Sequence, residues 1–125
     1  MEREEIIKYI EMQKAGHAFW DYKKRIKSLK KLYDNILLMK EDIFAALKAD
    51  LNKSEVESYT SEIGMVLCEI SYMIKHIKKF SRPQKVKSAL FQFPAKSVIL
   101  PCPYGCVLVM SPWNYPFMLS LEPMV

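Results

Sequence analysis

The chain has 125 residues, half of them hydrophobic, and 19 Lys and Arg against 14 Asp and Glu give it a net charge of +5. That is a size for about one domain, with enough apolar side chain to build a core. Three cysteines are too few for a disulfide scaffold, no His or Cys pair has structural-zinc spacing, and no signal peptide or membrane-length apolar run is present, so a metal-free protein of the reducing cytoplasm is expected.

The charge is placed unevenly. Residues 1–87 carry 18 of the 19 basic and 13 of the 14 acidic residues, and all seven prolines fall after position 82. A charge-rich helical region over 1–82 therefore gives way near Arg82-Pro83 to an apolar, proline-punctuated region over 83–125. The lysines alternate with Glu and Asp along helix faces, the pattern of a solvated surface, so no nucleic-acid partner is expected.

Ile6, Ile7 and Ile10 predict a first short helix, with a break at Gly16 and His17-Ala18-Phe19-Trp20. Tyr22, Ile26, Leu29, Tyr33 and Ile36 are spaced four, three, four and three apart, an apolar helical stripe between lysines. Ile43, Phe44, Leu47 and Leu51 form another helical face up to Asn52, a residue that tolerates a left-handed cap. Ser54 and Glu57 have capping-box spacing. Behind them Val56, Tyr59, Ile63, Val66, Ile70, Met73 or Ile74, and Ile77 make a long stripe that Pro83 ends. Cys68 is placed on this apolar face, and Glu62 and Glu69 on the helix surface.

Ser97-Val98-Ile99-Leu100 reads as a short strand, Pro101 to Gly105 as a turn holding Cys102, and Cys106-Val107-Leu108-Val109-Met110 as a second strand. The second has no polar alternation, as expected of a strand buried on both faces in a parallel sheet. One such strand does not make a sheet, and the chain stops at Leu121-Glu122-Pro123-Met124-Val125 within an apolar segment, so a truncated protein is expected.

Ser111-Pro112-Trp113-Asn114-Tyr115-Pro116 follows that strand, where open α/β sheets bind ligands. Two prolines fix the backbone around Asn114, Pro116 suits the first turn of a helix, and Trp113 would serve as an anchor. A rigidly aimed carboxamide can donate N–H to an oxygen that becomes negative without itself titrating, as an oxyanion hole requires. The same spacing also fits an ordinary helix cap, and spacing alone favours the cap.

The run Pro103-Tyr104-Gly105-Cys106-Val107-Leu108-Val109-Met110-Ser111-Pro112-Trp113-Asn114-Tyr115-Pro116-Phe117 resembles the segment that introduces the cofactor domain in the aldehyde dehydrogenase superfamily. Ser61-Glu62-Ile63-Gly64-Met65-Val66-Leu67-Cys68-Glu69-Ile70 and the helical leader resemble its class-3-like branch, which includes fatty aldehyde dehydrogenases. The resemblance implies an α/β fold: N-terminal helices, then the first strands of a Rossmann-like cofactor-binding domain, truncated. It implies oxidation of an aldehyde to a carboxylic acid with NAD or NADP, in which a Cys thiolate attacks the carbonyl, hydride passes to nicotinamide, and a Glu-activated water cleaves the thioester.

Residue by residue, Asn114 matches the oxyanion-hole donor. The backbone of Ser111, Pro112 and Trp113 matches the strand exit beside the cofactor, and Tyr115 and Met118 match the wall of the substrate tunnel, where a packing role also fits both. Neither the nucleophilic Cys nor the general-base Glu of the family matches a residue here; Cys68 and Cys106 are expected to be inert, and the chain alone is expected to be inactive. His17 and His76 are expected to be structural or solvated. A homodimer and a small-molecule aldehyde are family expectations, with membrane association through a missing C-terminus left open. The competing class is a basic, non-enzymatic helical module that completes its core with a partner.

Overall fold

The computed structural model describes residues 3–15 and 21–125. These group into two compact units, one of residues 21–77 with 108–125, the other of residues 3–15 with 78–107.

In the larger unit, α2 (Tyr22–Leu38) begins where Asp21 Oδ1 accepts the Lys24 N–H at 2.8 Å, satisfying a donor that the first turn leaves without a helical partner. Met39 links it to α3 (Lys40–Leu51). Asn52 ends α3 in the left-handed region at φ 53°, the conformation its side chain tolerates, and its N–H closes on Lys48 O at 2.9 Å. Ser54 Oγ then accepts the Glu57 N–H at 3.2 Å and opens α4 (Glu55–Ser58). The helix continues through a π-helical turn, Tyr59–Ile63, into α5 (Gly64–Phe80), which ends before Pro83. Leu29, Ile36 and Phe44 form the core with Ile63, Val66, Leu67, Ile70 and Ile77. Onto it pack Phe117, Met118 and Leu121 of α6 (Pro116–Leu121).

The π turn changes which residues face inward. Val56 and Tyr59, expected on the apolar stripe, are 74% and 44% exposed, whereas Ser58 and Glu62 are fully buried. A π turn inserts one residue into the helical repeat and so rotates everything N-terminal to it relative to α5. Gly64 makes room for this turn: its N–H reaches back to Tyr59 O, and a Cβ at position 64 would lie 2.8 Å from that same oxygen.

The smaller unit holds α1 (Arg3–Ala15), the first helix expected from sequence, and an antiparallel pair of strands. The expected break at 16–20 lies outside the described residues. The strand expected at 97–100 is β2 (Ser97–Ile99), and its partner is β1 (Gln84–Val86), in the register Gln84↔Ile99, Lys85↔Val98, Val86↔Ser97. Ser88 Oγ braces the connection by donating to Ala95 O at 3.0 Å.

Two expectations are corrected. Residues 106–110 form no strand, and Val107, Leu108 and Met110 are 63%, 79% and 84% exposed. A β-branched apolar run shows what a segment is suited to, but a strand also needs a ladder partner, and no described residues pair with this one. Likewise the three cysteines are exposed. Cys68 lies beside the inward-facing Val66, Leu67 and Ile70, not among them, and Cys106 Sγ donates to Gln13 Oε1 at 2.9 Å. Among the described residues no helix is long and apolar enough to cross a membrane.

Candidate active site

Helix α6 starts without a local cap. Pro116 occupies its first turn as expected, but its N-cap residue is Tyr115, which makes no side-chain capping bond. The free donors are met from 55 residues away, where Glu62 Oε2 accepts the Phe117 N–H at 2.8 Å and the Met118 N–H at 3.2 Å. A carboxylate at a helix N-terminus is favoured both by these bonds and by the helix dipole. Capping of α6 therefore belongs to Glu62 and not to Asn114.

The other oxygen of the same carboxylate, Oε1, accepts from Lys53 Nζ in an ion pair. Lys53 Nζ also donates to Asn114 O at 2.9 Å and lies 4.0 Å from the centre of the Tyr115 ring. The three donors of one ammonium thus face a carboxylate, a carbonyl and an aromatic face. Glu62 is completely buried and Lys53 is 7% exposed. Burying both charges costs desolvation, which is offset where each polar atom finds a partner, as it does here.

Both residues are placed by the ends and turns of helices. Lys53 lies between the left-handed cap Asn52 and the N-cap Ser54, and Glu62 lies in the π turn. Glu62, expected on a helix surface, is carried inward by the inserted residue of the π turn. A buried Lys and Glu nine positions apart leave no periodic signal, so sequence spacing could not show the pair.

A second tie closes the loop. Ser120 Oγ donates to Pro116 O at 2.6 Å, leaving the Ser111 hydroxyl to donate to Ser120 Oγ at 2.7 Å. Asn114 is thereby held through its backbone while its side chain is exposed, and its carboxamide makes no hydrogen bond to another described residue. Ser111, Pro112 and Trp113 are exposed beside it; Trp113, at 86%, is not the expected anchor, and the lysine, glutamate and serine contacts anchor the loop instead. Tyr115 covers Lys53, and Met118 packs against the core. His76 stacks on Tyr72 with ring centres 4.2 Å apart, while His17 lies outside the described residues. No group of three or more His, Cys, Asp or Glu among the described residues could hold a metal ion.

This arrangement leaves the Asn114 carboxamide, a neutral donor, exposed on a turn tied down by its main chain. The sequence profile of the aldehyde dehydrogenase family matches residues 2–125. The chain belongs to the aldehyde dehydrogenase family. It is 43% identical over 101 residues to the 4,4'-diaponeurosporen-aldehyde dehydrogenase of Staphylococcus aureus, covering 81% of this chain and 22% of that protein. It is 40% identical over 104 residues to aldehyde dehydrogenase family 3 member H1 of Arabidopsis thaliana, covering 83% of this chain and 22% of that protein. Among solved structures, the substrate-bound state of Staphylococcus aureus AldH superposes with a TM-score of 0.88 at 38% identity, over 99% of this chain and 27% of that one. The chain thus spans about a quarter of the length of these aldehyde dehydrogenases, and its helices and small sheet fit the opening of that α/β fold.

Proposed function

We propose that this chain is the N-terminal part of an NAD(P)-dependent enzyme that oxidises a small-molecule aldehyde to a carboxylic acid, with Asn114 as an oxyanion-hole donor. One observation carries the reading: Asn114 is fixed through its main-chain carbonyl while its carboxamide stays exposed and uncommitted. A group held this way adds N–H to a substrate oxygen without reorganising.

In this reading a cysteine thiolate from the rest of the enzyme adds to the aldehyde carbonyl, and the carbonyl electron pair moves onto oxygen. The Asn114 carboxamide donates to that oxygen as it becomes negative. A nicotinamide dinucleotide, when bound, would supply the acceptor for the hydride that leaves the carbonyl carbon as the oxyanion collapses, and water would cleave the thioester so formed into the acid and the free cysteine thiol. Ser111, Pro112 and Trp113 are exposed and outside any helix or strand, so the N–H groups of Ser111 and Trp113 and the three main-chain carbonyls would border a dinucleotide. Tyr115 and Met118 would border the aldehyde from the first turn of α6. Residues 83–125 would open the cofactor domain, in a homodimeric cytoplasmic enzyme.

The test is turnover by the complete enzyme across an aldehyde series with NAD and with NADP, followed at the reduced-nicotinamide absorbance. Aldehyde-dependent reduction of one dinucleotide with stoichiometric acid is expected. A folded complete enzyme that reduces neither, with any aldehyde chain length, would overturn the proposal.

A further inference from the structure

We propose that Lys53 and Glu62 are positioning residues of the reaction, a buried clamp that sets the aim of the Asn114 carboxamide; this rests on the reading of Asn114 as the oxyanion donor.

A cap for a short helix needs only one local acceptor, such as Ser, Asp or Asn at the N-cap position. This chain instead places Tyr115 there and brings a fully buried glutamate from another helix. As counter-charge to that buried carboxylate, Lys53 needs only its contact with Glu62 Oε1. Its second hydrogen bond goes to the carbonyl of Asn114, the peptide group attached directly to the Cα that carries the carboxamide. Holding that carbonyl fixes ψ of Asn114. Glu62 fixes the next step of the chain at Phe117 and Met118, so the turn is held on both sides of Tyr115 and Pro116 by one ion pair.

The chemistry explains why such bracing would matter. An oxyanion donor works at about 2.7 to 3.1 Å from the developing charge. A displacement of about 1 Å in a reacting geometry can cost on the order of 10²-fold in rate. The Asn114 carboxamide makes no hydrogen bond within the described residues to aim it, so its direction follows its backbone, and its backbone is tied to the clamp.

The experiment is a double-mutant cycle in the complete enzyme. Lys53→Met with Glu62→Gln removes both charges together and leaves a neutral acceptor for the α6 donors. Asn114→Ala removes the carboxamide, and a third protein carries all three changes. kcat, aldehyde KM, dinucleotide Kd and melting temperature are measured for each. Loss of the clamp is expected to lower kcat about 10- to 100-fold, with KM and Kd changed by no more than about 3-fold, the signature of an interaction made in the transition state. In the Asn114→Ala background the same loss is expected to change kcat by less than about 3-fold, because a clamp acting through Asn114 has nothing left to aim.

Wild-type kcat in the clamp variant, beside an impaired Asn114→Ala, would overturn the proposal and leave Asn114 as the donor. A triple variant whose kcat falls by the product of the two separate losses would overturn it as well. Full activity in Asn114→Ala would sink the oxyanion reading itself, and the clamp with it. Should the first clamp variant not fold, Lys53→Gln with Glu62→Gln serves the same cycle with the same expected results. That pair keeps a neutral hydrogen-bonded contact, but the Gln side chain is one atom too short to hold position 62 and Asn114 O together.

Discussion

Replacing Lys53 by Met should destabilise the complete enzyme more than replacing Lys53 by Met and Glu62 by Gln together. The single change leaves Glu62 with no exposed surface and no cation on Oε1, though Oε2 keeps its two backbone donors. Breaking a buried pair from one side costs about 3 to 5 kcal/mol, because a desolvated charge remains uncompensated. The double change removes both charges. It gives up the hydrogen bond to Asn114 O and weakens the cap of α6 from a charged acceptor to a neutral one, a net loss of about 1 to 3 kcal/mol. The second substitution should therefore recover about 2 kcal/mol. Denaturation midpoints of the wild type and both variants, measured side by side in guanidinium chloride at neutral pH, read this directly. A double variant less stable than Lys53→Met would refute the reasoning, since it would mean that the carboxylate at position 62 stabilises the fold without its lysine.

Gly64→Ala should lower the melting temperature of the complete enzyme despite the better helix propensity of Ala. Its Cβ would sit 2.8 Å from the Tyr59 carbonyl oxygen, and overpacking against backbone costs about 1 to 3 kcal/mol against a propensity gain of about 1; a raised melting temperature would show that the π turn is not held by this close approach. The 125-residue chain on its own should reduce neither NAD nor NADP with aldehyde, which a rise in reduced-nicotinamide absorbance above a heat-killed control would contradict. It should also self-associate, because Leu90, Phe91 and Phe93 are each at least 85% exposed alongside the apolar run at 107–110; a sharp monomer peak on size exclusion with cooperative unfolding would contradict that.

Periodicity made the helices of the larger unit legible because each buries one face. Leu29 and Ile36 on α2, Phe44 and Leu47 on α3, and Ile63, Val66, Ile70 and Ile77 behind them lie where three- and four-residue spacing puts them. The caps at Asn52 and Ser54 were readable for a local reason, since each depends on the chemistry of one side chain and its immediate neighbours. The expectation failed where geometry is not local. A π turn has no sequence signature, so Val56 and Tyr59 were assigned to the core in place of Ser58 and Glu62.

The strand expected at 106–110 failed for a related reason. Its pattern describes the environment it is suited to, and the partners of a strand lie elsewhere in a chain. β1 leaves no mark in the sequence because Gln84-Lys85-Val86 has no apolar run and is exposed throughout. Asn114 stands out in the sequence by the family resemblance and by the prolines around it, while the residues that hold its backbone carry no such mark. Lys53 and Glu62 are ordinary members of a charge-rich helical region until the fold brings them together, 61 and 52 positions before Asn114, inside the core.

The claim that Asn114 donates to a developing oxyanion is tested most directly by kcat of the complete enzyme carrying Asn114→Asp. The substitution keeps size and backbone, and Asn114 does not cap α6, so the helix gains nothing from it. An ionised carboxylate in place of the donor repels the oxygen as it charges. Loss of an oxyanion donor costs about 10²- to 10³-fold in kcat, and Asp should cost at least that, with dinucleotide binding and melting temperature close to wild type. A fully active Asn114→Asp enzyme would contradict the account.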